Sequence, residues 1–144
     1  MSVPDHSTDL LTVLLEAEHA AVYGYGVLGA RLDESTRTAA RGAYDAHRAR
    51  RDALAAALRA RGVVPPTTRP AYDVAVSGRP QALALAVRLE EGLAVRWRDL
   101  VGGTDDRELR RLAVSALQEA AVRAAAWRQL AGRRPTTVAL PGTV

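Results

Sequence analysis

The sequence has 144 residues, 48% of them hydrophobic and 25% charged, which is typical of one soluble domain with its own hydrophobic core. It contains no cysteine, which excludes disulfides, thiolate metal sites and a thiol nucleophile. All 20 basic residues are arginines, the formal net charge is +4, and no apolar run is long enough to cross a membrane. We therefore expect a single cytoplasmic domain over residues 1–144, whose chemistry relies on carboxylate, imidazole and guanidinium groups.

Apolar residues recur at three- and four-residue steps along most of the chain, a spacing that predicts α-helices rather than strands. Residues typical of helix N-caps precede three of these segments: Ser7 or Thr8 before the first, Asp33 before the second, and Asp105 in an Asp-x-x-Glu pattern before the fourth. The predicted helices occupy about residues 8–32, 34–61, 80–101 and 106–131.

The connections between the segments predict how the helices are arranged. Short turns at 32–35 and 102–105 pair the first helix with the second and the third with the fourth, each pair antiparallel. The proline-containing linker at 62–78 reaches about 50 Å when extended, whereas a helix of about 24 residues is only about 36 Å long. The expected fold is therefore an all-α four-helix bundle, two antiparallel pairs joined by a long crossover linker. A linker that loops back would give an up-down bundle instead, and the tail at 133–144 is expected along the outside or poorly ordered.

Each predicted helix carries one ionisable residue on its apolar stripe. Measured from the end of the bundle where the crossover brings the helices together, all four lie about 11 to 13 residues deep, so they should meet in one layer. Carboxylates that converge in a low-dielectric core need a positive charge or protons beside them. The layer residues are Glu18, His47, Glu90 and Glu119.

Several of these residues lie in segments that resemble the ferritin-like superfamily, which includes ferritin, bacterioferritin and rubrerythrin. Residues 18–25, Glu-His-Ala-Ala-Val-Tyr-Gly-Tyr, are similar to a first-helix pattern in which aromatic residues follow a ligand glutamate by five and seven positions. Glu90 resembles the third-helix ligand glutamate, while His47 and Glu119 each correspond to half of a Glu-x-x-His motif. The likeness covers residues 8–132 and is closest to a bacterial ferritin-like family of unknown function.

The resemblance implies a paired iron centre that oxidises iron, with a Glu-x-x-His motif on each of two helices. This chain departs from that pattern at two positions. Tyr44 stands where the second helix of the superfamily has its bridging glutamate, and Val122 stands where the fourth helix has its histidine. Two of the six ligands are therefore absent, which implies a reduced or lost metal site.

Three interpretations of the layer remain open from the sequence. The four residues could hold one iron, manganese or zinc ion, since these metals accept mixed carboxylate and imidazole ligands. The site could instead be vestigial, with Arg123 or Arg51 supplying the positive charge where the metal was. In the third interpretation the helix phase is wrong and some of the four face solvent. Tyr25 and Tyr44 are expected beside the layer in either form of the site.

These alternatives predict different functions. The leading hypothesis is a non-catalytic binding or structural module of unknown cellular role, and the alternative is a metal-dependent oxidoreductase with a mononuclear or incomplete dinuclear centre. Arginines within 48–51 and 107–111 raise a weaker third option, nucleic-acid binding, but interspersed acids favour a solvated face. The Gly-x-Gly-x-x-Gly pattern at 24–29 lies within a helix, so we interpret it as close helix packing. The ferritin-like analogy implies a homodimer, while the sequence itself predicts no membrane partner and makes a nucleic-acid partner the weakest option.

Overall fold

The computed structural model describes residues 6–69 and 71–143, and all the regular structure in these residues is helical. A short 3-10 turn at Gly29–Arg31 follows the first helix, which therefore ends before the predicted Leu32. Within the described residues, no helix combines the length and the apolar character that a membrane crossing needs. The four α-helices are α1 (Ser7–Leu28), α2 (Glu34–Ala60), α3 (Arg79–Gly103) and α4 (Arg107–Leu130).

Side-chain hydrogen bonds explain where two of the helices start. The Asp33 carboxylate accepts a hydrogen bond from the backbone N–H of Thr36 at 2.9 Å and caps α2, as the sequence predicts. The predicted cap of α1 is wrong, because Ser7 is already the first helical residue. The Ser7 hydroxyl donates a hydrogen bond of 3.0 Å to Thr104, so it ties the start of α1 to the residue after α3.

The fourth helix is capped one residue later than the sequence pattern predicts. The carboxylate of Asp106 accepts hydrogen bonds from the backbone N–H groups of Leu109 and Glu108, at 3.2 and 2.9 Å. The Leu109 N–H is the main cause that lowers the pKa of Asp106 below its ordinary value. Asp105, the predicted cap, is exposed beside it.

The position of this cap gives a direct prediction. We expect Asp106→Ala to lower the thermal unfolding midpoint by roughly 3–5 °C, because it leaves two backbone N–H groups of α4 without their acceptor. The matched variant Asp105→Ala should leave the midpoint unchanged within error. Scanning calorimetry of both variants measures the difference, and a larger loss for Asp105→Ala would contradict the assignment of the cap.

Ion pairs at the helix ends identify which ends are neighbours. Arg79 Nε lies 3.6 Å from Asp33 Oδ2, so α3 starts beside the start of α2. Arg61 Nη2 lies 2.9 Å from Asp106 Oδ2, so the segment that follows α2 lies beside the start of α4. Helix α1 packs along both α2 and α3, and α3 packs along α4.

Two apolar clusters fill the interior, one toward each end of the helices. Glu18, His47 and Glu90 lie between the two clusters along α1, α2 and α3. The first cluster includes Leu11, Leu15, Leu54, Leu58, Trp97, Leu100 and Leu109. The second cluster includes Tyr25, Leu28, Leu32, Ala43, Leu83, Val87 and Trp127.

Gly24 has a packing role at the crossing of α1 and α3. A Cβ atom at this position would lie 2.7 Å from Leu89 Cδ1, closer than any side-chain contact allows. Gly24 thus leaves room for the Leu89 side chain of α3, which agrees with a packing role for this position of the motif.

Candidate functional site

Three ionisable side chains lie in the interior between the two apolar clusters. Glu18 on α1 and Glu90 on α3 are 0% exposed, and His47 on α2 is 1% exposed. Each falls on the apolar stripe of its helix, so folding of the amphipathic helices carries it inward. Burial of charged groups is costly unless they are paired, so their partners decide whether the site is stable.

His47 joins the two carboxylates through both of its ring nitrogens. Nδ1 lies 2.7 Å from Glu18 Oε2, and Nε2 lies 2.8 Å from Glu90 Oε1. Burial alone would lower the pKa of His47, but the hydrogen bonds to Glu18 and Glu90 outweigh it and raise the pKa from 6.5 to about 9. Near neutral pH the ring is therefore an imidazolium that donates one hydrogen bond to each carboxylate.

Further donors surround the two carboxylates. Glu90 Oε1 also accepts hydrogen bonds from the Tyr25 hydroxyl at 2.5 Å and from Arg123 Nε at 3.0 Å. Burial, together with the charge of Glu90, raises the pKa of Tyr25 well above its ordinary value, so this phenol stays neutral and donates. Two indoles complete the group, which we call the buried network. Its members are Glu18, Tyr25, His47, Glu90, Trp97, Arg123 and Trp127.

The two tryptophans join the buried network through their indole N–H groups. The indole N–H of Trp97 donates to Glu18 Oε1 at 3.2 Å, and that of Trp127 donates to the Tyr25 hydroxyl at 2.8 Å. A buried indole N–H requires an acceptor, which is the sequence signal that could have connected both residues to the layer. The spacing of the residues along the helices does not identify which acceptor each indole finds.

The charges within the buried network balance. Glu18 and Glu90 supply two negative charges, while the imidazolium of His47 and the guanidinium of Arg123 supply two positive charges. Among the described residues, Glu90 Oε2 is the buried side-chain oxygen or nitrogen without a hydrogen-bond partner. The remaining polar atoms of these buried carboxylates are satisfied by protein donors, which reduces the cost of burying them.

Glu119 does not join the buried network. Its side chain is 44% exposed, and its carboxylate lies 2.7 Å from Arg50 Nη2 and 3.8 Å from Arg123 Nη1. The sequence pattern predicts Glu119 on the inward face of α4, but the structure places it beside Arg50 at the surface. The buried face of α4 is mostly alanine and leaves Glu119 outside. Its residues are Leu109, Ala113, Ala116, Ala120, Ala124 and Trp127.

Of the four other residues expected beside the layer, two contact Glu90 and two have other partners. Tyr25 and Arg123 contact Glu90, as described above, whereas Arg51 forms an ion pair of 2.8 Å with its neighbour Asp52. Tyr44 is half-buried and lies under the guanidinium of Arg48, with 5.6 Å between its ring centroid and Cζ.

Whether Glu18, His47 and Glu90 could bind a metal ion depends on how their polar atoms are arranged around one another. A histidine ligand needs a lone pair on the nitrogen that faces the metal, and here a carboxylate oxygen lies 2.7 Å from Nδ1 and another lies 2.8 Å from Nε2 of His47. The imidazole also stands between Glu18 and Glu90, so the three groups do not converge on one point. In the part of the chain that the structure describes, no group of three or more His, Asp or Glu residues is placed to hold a metal ion. The contacts of the buried network are those of an ion-pair cluster around His47.

Comparisons with known proteins identify the family. Residues 11–144 match the model of a domain of unknown function, DUF4439. The chain is similar to the protein in the crystal structure of a conserved hypothetical protein, rv2844, from Mycobacterium tuberculosis, with 34% sequence identity and a TM-score of 0.86, over 90% of this chain and 99% of that chain. No curated protein matches the chain. Because the family match extends over nearly the entire sequence, the chain belongs to the DUF4439 family of domains of unknown function.

Proposed function

We propose that this chain is a ferritin-like four-helix bundle in which a buried imidazolium occupies the place of the metal, and that it acts as a non-catalytic structural or binding module. The observation that carries this proposal is His47 with a carboxylate on each ring nitrogen, at 2.7 and 2.8 Å. A cation in that position neutralises the carboxylates without any metal. Arg123, 3.0 Å from Glu90, supplies the second positive charge.

The crossover topology is part of the proposal. The ion pair between Arg79 and Asp33 supports parallel α2 and α3, because it joins their starting ends. The linker also contacts both apolar clusters. Val63 packs on the first cluster and Val74 on the second, as expected if the linker runs along the length of the bundle.

The contacts of the arginines favour this proposal over nucleic-acid binding. Arg111 forms an ion pair of 2.7 Å with Glu108, and Arg110 donates a hydrogen bond of 3.2 Å to the carbonyl of Val101. Guanidinium groups engaged in this way are less available for phosphates, whose contacts dominate affinity for nucleic acid. The homodimer remains a prediction from the ferritin-like analogy, and light scattering of the purified chain measures it.

Metal content tests the proposal. Protein purified without chelator, incubated with iron(II), manganese(II) or zinc(II) and desalted, should carry less than about one-tenth equivalent of metal per chain by elemental analysis, because His47 offers no lone pair. Glu18→Gln and the matched surface variant Glu119→Gln should give the same low value as the unmodified chain.

A stoichiometric metal in the unmodified chain that disappears in Glu18→Gln but persists in Glu119→Gln would overturn the proposal. It would establish the buried network as a metal site and support the oxidoreductase alternative. Metal retained equally in all three proteins would come from the surface and leave the proposal standing.

A further inference from the structure

The C-terminal segment, residues 132–143, folds back over α3 and α4 and forms one side of a partly open cavity. The cavity has a volume of about 240 Å³ and lies outside the buried network. Its walls come from one face of α3, one face of α4 and the residues from Thr136 to Gly142. The tail therefore does not simply lie against the helices, because a half-open space remains between it and them.

Two glycines allow the segment to take this path. Gly132, with a φ of +69°, turns the chain at the end of α4. Gly142, with a φ of +82°, lies so close to α3 that a Cβ atom would be 2.7 Å from the carbonyl oxygen of Ala94 and 3.0 Å from Arg98 Cβ. Both positions favour glycine because side chains rarely adopt a positive φ. The far end of the segment therefore lies directly against α3, where Gly142 forms part of the cavity wall.

Small side chains on the two helices create the space. Ala94 on α3 and three alanines of α4 line the cavity, where larger residues would fill it. An apolar lining with a few polar groups is typical of sites that bind small molecules. The three alanines of α4 are Ala121, Ala124 and Ala125.

The charges at the cavity compensate each other. Arg128 and Glu91 both line it, and Arg128 Nε donates a hydrogen bond of 2.6 Å to Glu91 Oε1. A second nitrogen of the same guanidinium also contacts that oxygen. Since Arg128 already has its counter-ion, an anionic ligand would have to displace Glu91 from it, while a neutral ligand leaves the ion pair intact.

We propose that this cavity is a binding site for a neutral, predominantly apolar ring compound. An apolar cavity of about 150 Å³ is large enough to bind benzene, so the larger cavity of this chain suits a compound with two or more rings. Its rim includes Val138, which is 36% exposed, and Val122, which is 70% exposed, so the approach from solvent is also apolar. The side chains of Thr136 and Thr137 add hydroxyl groups to an otherwise apolar lining and suit one polar substituent on the ring.

A matched pair of fluorescent probes tests both the site and the charge of its ligand. 1-Anilinonaphthalene is neutral, and its 8-sulfonate has the same ring frame with one negative charge. Titrated into the full chain, the neutral probe should bind saturably with a Kd on the order of 0.1 mM or lower. The sulfonate should bind roughly tenfold more weakly, because Glu91 already occupies Arg128.

Two adjacent alanines of α4 provide the variant and its control. Ala125→Leu places a larger side chain in the cavity and should weaken binding of the neutral probe roughly tenfold. Ala126 lies on the exposed face of α4, so Ala126→Leu should keep the Kd of the neutral probe within about twofold. Circular dichroism confirms that each variant is folded, and Ala121→Leu fills the same cavity if Ala125→Leu does not fold.

Three outcomes would overturn the proposal. These are non-saturable binding of the neutral probe, equal affinities of the two leucine variants, or tighter binding of the sulfonate. None of them bears on the metal content of the buried network, so the two proposals fail or stand separately.

Discussion

Glu90→Gln is expected to lower the free energy of unfolding by about 3–5 kcal/mol, the cost typical of removing one partner from a buried ion pair. The substitution keeps the size of the side chain but removes its charge. His47 would then keep Glu18 as its carboxylate partner, and Arg123 would keep only the more distant, partly exposed Glu119, at 3.8 Å. Many domains of this size have a total stability of about 5–15 kcal/mol, so the loss should be large. Urea unfolding followed by far-UV circular dichroism near neutral pH measures it.

Two further variants separate the loss of charge from other effects. Glu119→Gln removes a carboxylate that is 44% exposed, and its cost should stay within about 0.5–1 kcal/mol. Tyr25→Phe removes one donor to Glu90 and the acceptor of the Trp127 indole N–H but leaves every charge in place, so about 1–3 kcal/mol is expected. If Glu90→Gln costs no more than Glu119→Gln, the buried network does not stabilise the fold in the way we describe.

The helices were predictable because their signals are local. Apolar spacing and the capping aspartate at Asp33 act within one or two turns, and the helix bounds follow from them to within a few residues. The cap of α4 was missed because two adjacent aspartates both fit the position. Only the direction of the Asp106 carboxylate, toward the N–H groups of the first turn, distinguishes them.

The convergence of Glu18, His47 and Glu90 was predictable for a similar reason. Each interrupts a stripe of larger apolar residues, and the rise per residue places them at the same depth. Glu119 could not be placed in the same way, because alanines form the buried face of α4 and alanine marks no stripe. A helix that buries small residues presents two faces of nearly equal hydrophobicity, so periodicity alone does not determine its phase.

The hydrogen-bond pairing within the buried network was beyond prediction from sequence. Trp97 lies 79 positions from Glu18, and Trp127 lies 102 positions from Tyr25. No local pattern connects residues so far apart. The orientation of the His47 ring between two carboxylates likewise depends on the lateral positions of three helices. This orientation decides between a metal ligand and an ion-pair partner, so the sequence left both open.

The stability of the chain is expected to fall by about 3 kcal/mol as the pH rises from 6.5 to 9, and His47 is the cause. In the unfolded chain His47 loses its proton near pH 6.5, whereas in the folded chain the carboxylates hold that proton to about pH 9. Between these values the folded state binds more protons, so the imidazolium contributes fully below pH 6.5 and its contribution is lost on the way to pH 9. Urea unfolding across this range measures the slope.

The variants His47→Gln and His19→Gln identify the residue responsible for that slope. His47→Gln cannot titrate, so its unfolding free energy should stay nearly constant between pH 6.5 and 9, at a value below that of the unmodified chain. His19 lies half-buried on α1 outside the buried network, so His19→Gln should retain the full decline. A decline that survives in His47→Gln would place the titrating group elsewhere. Loss of the decline in His47→Gln alone would establish that the two buried carboxylates act on a proton held by the chain itself, which is the physical basis for replacing a metal with an imidazolium.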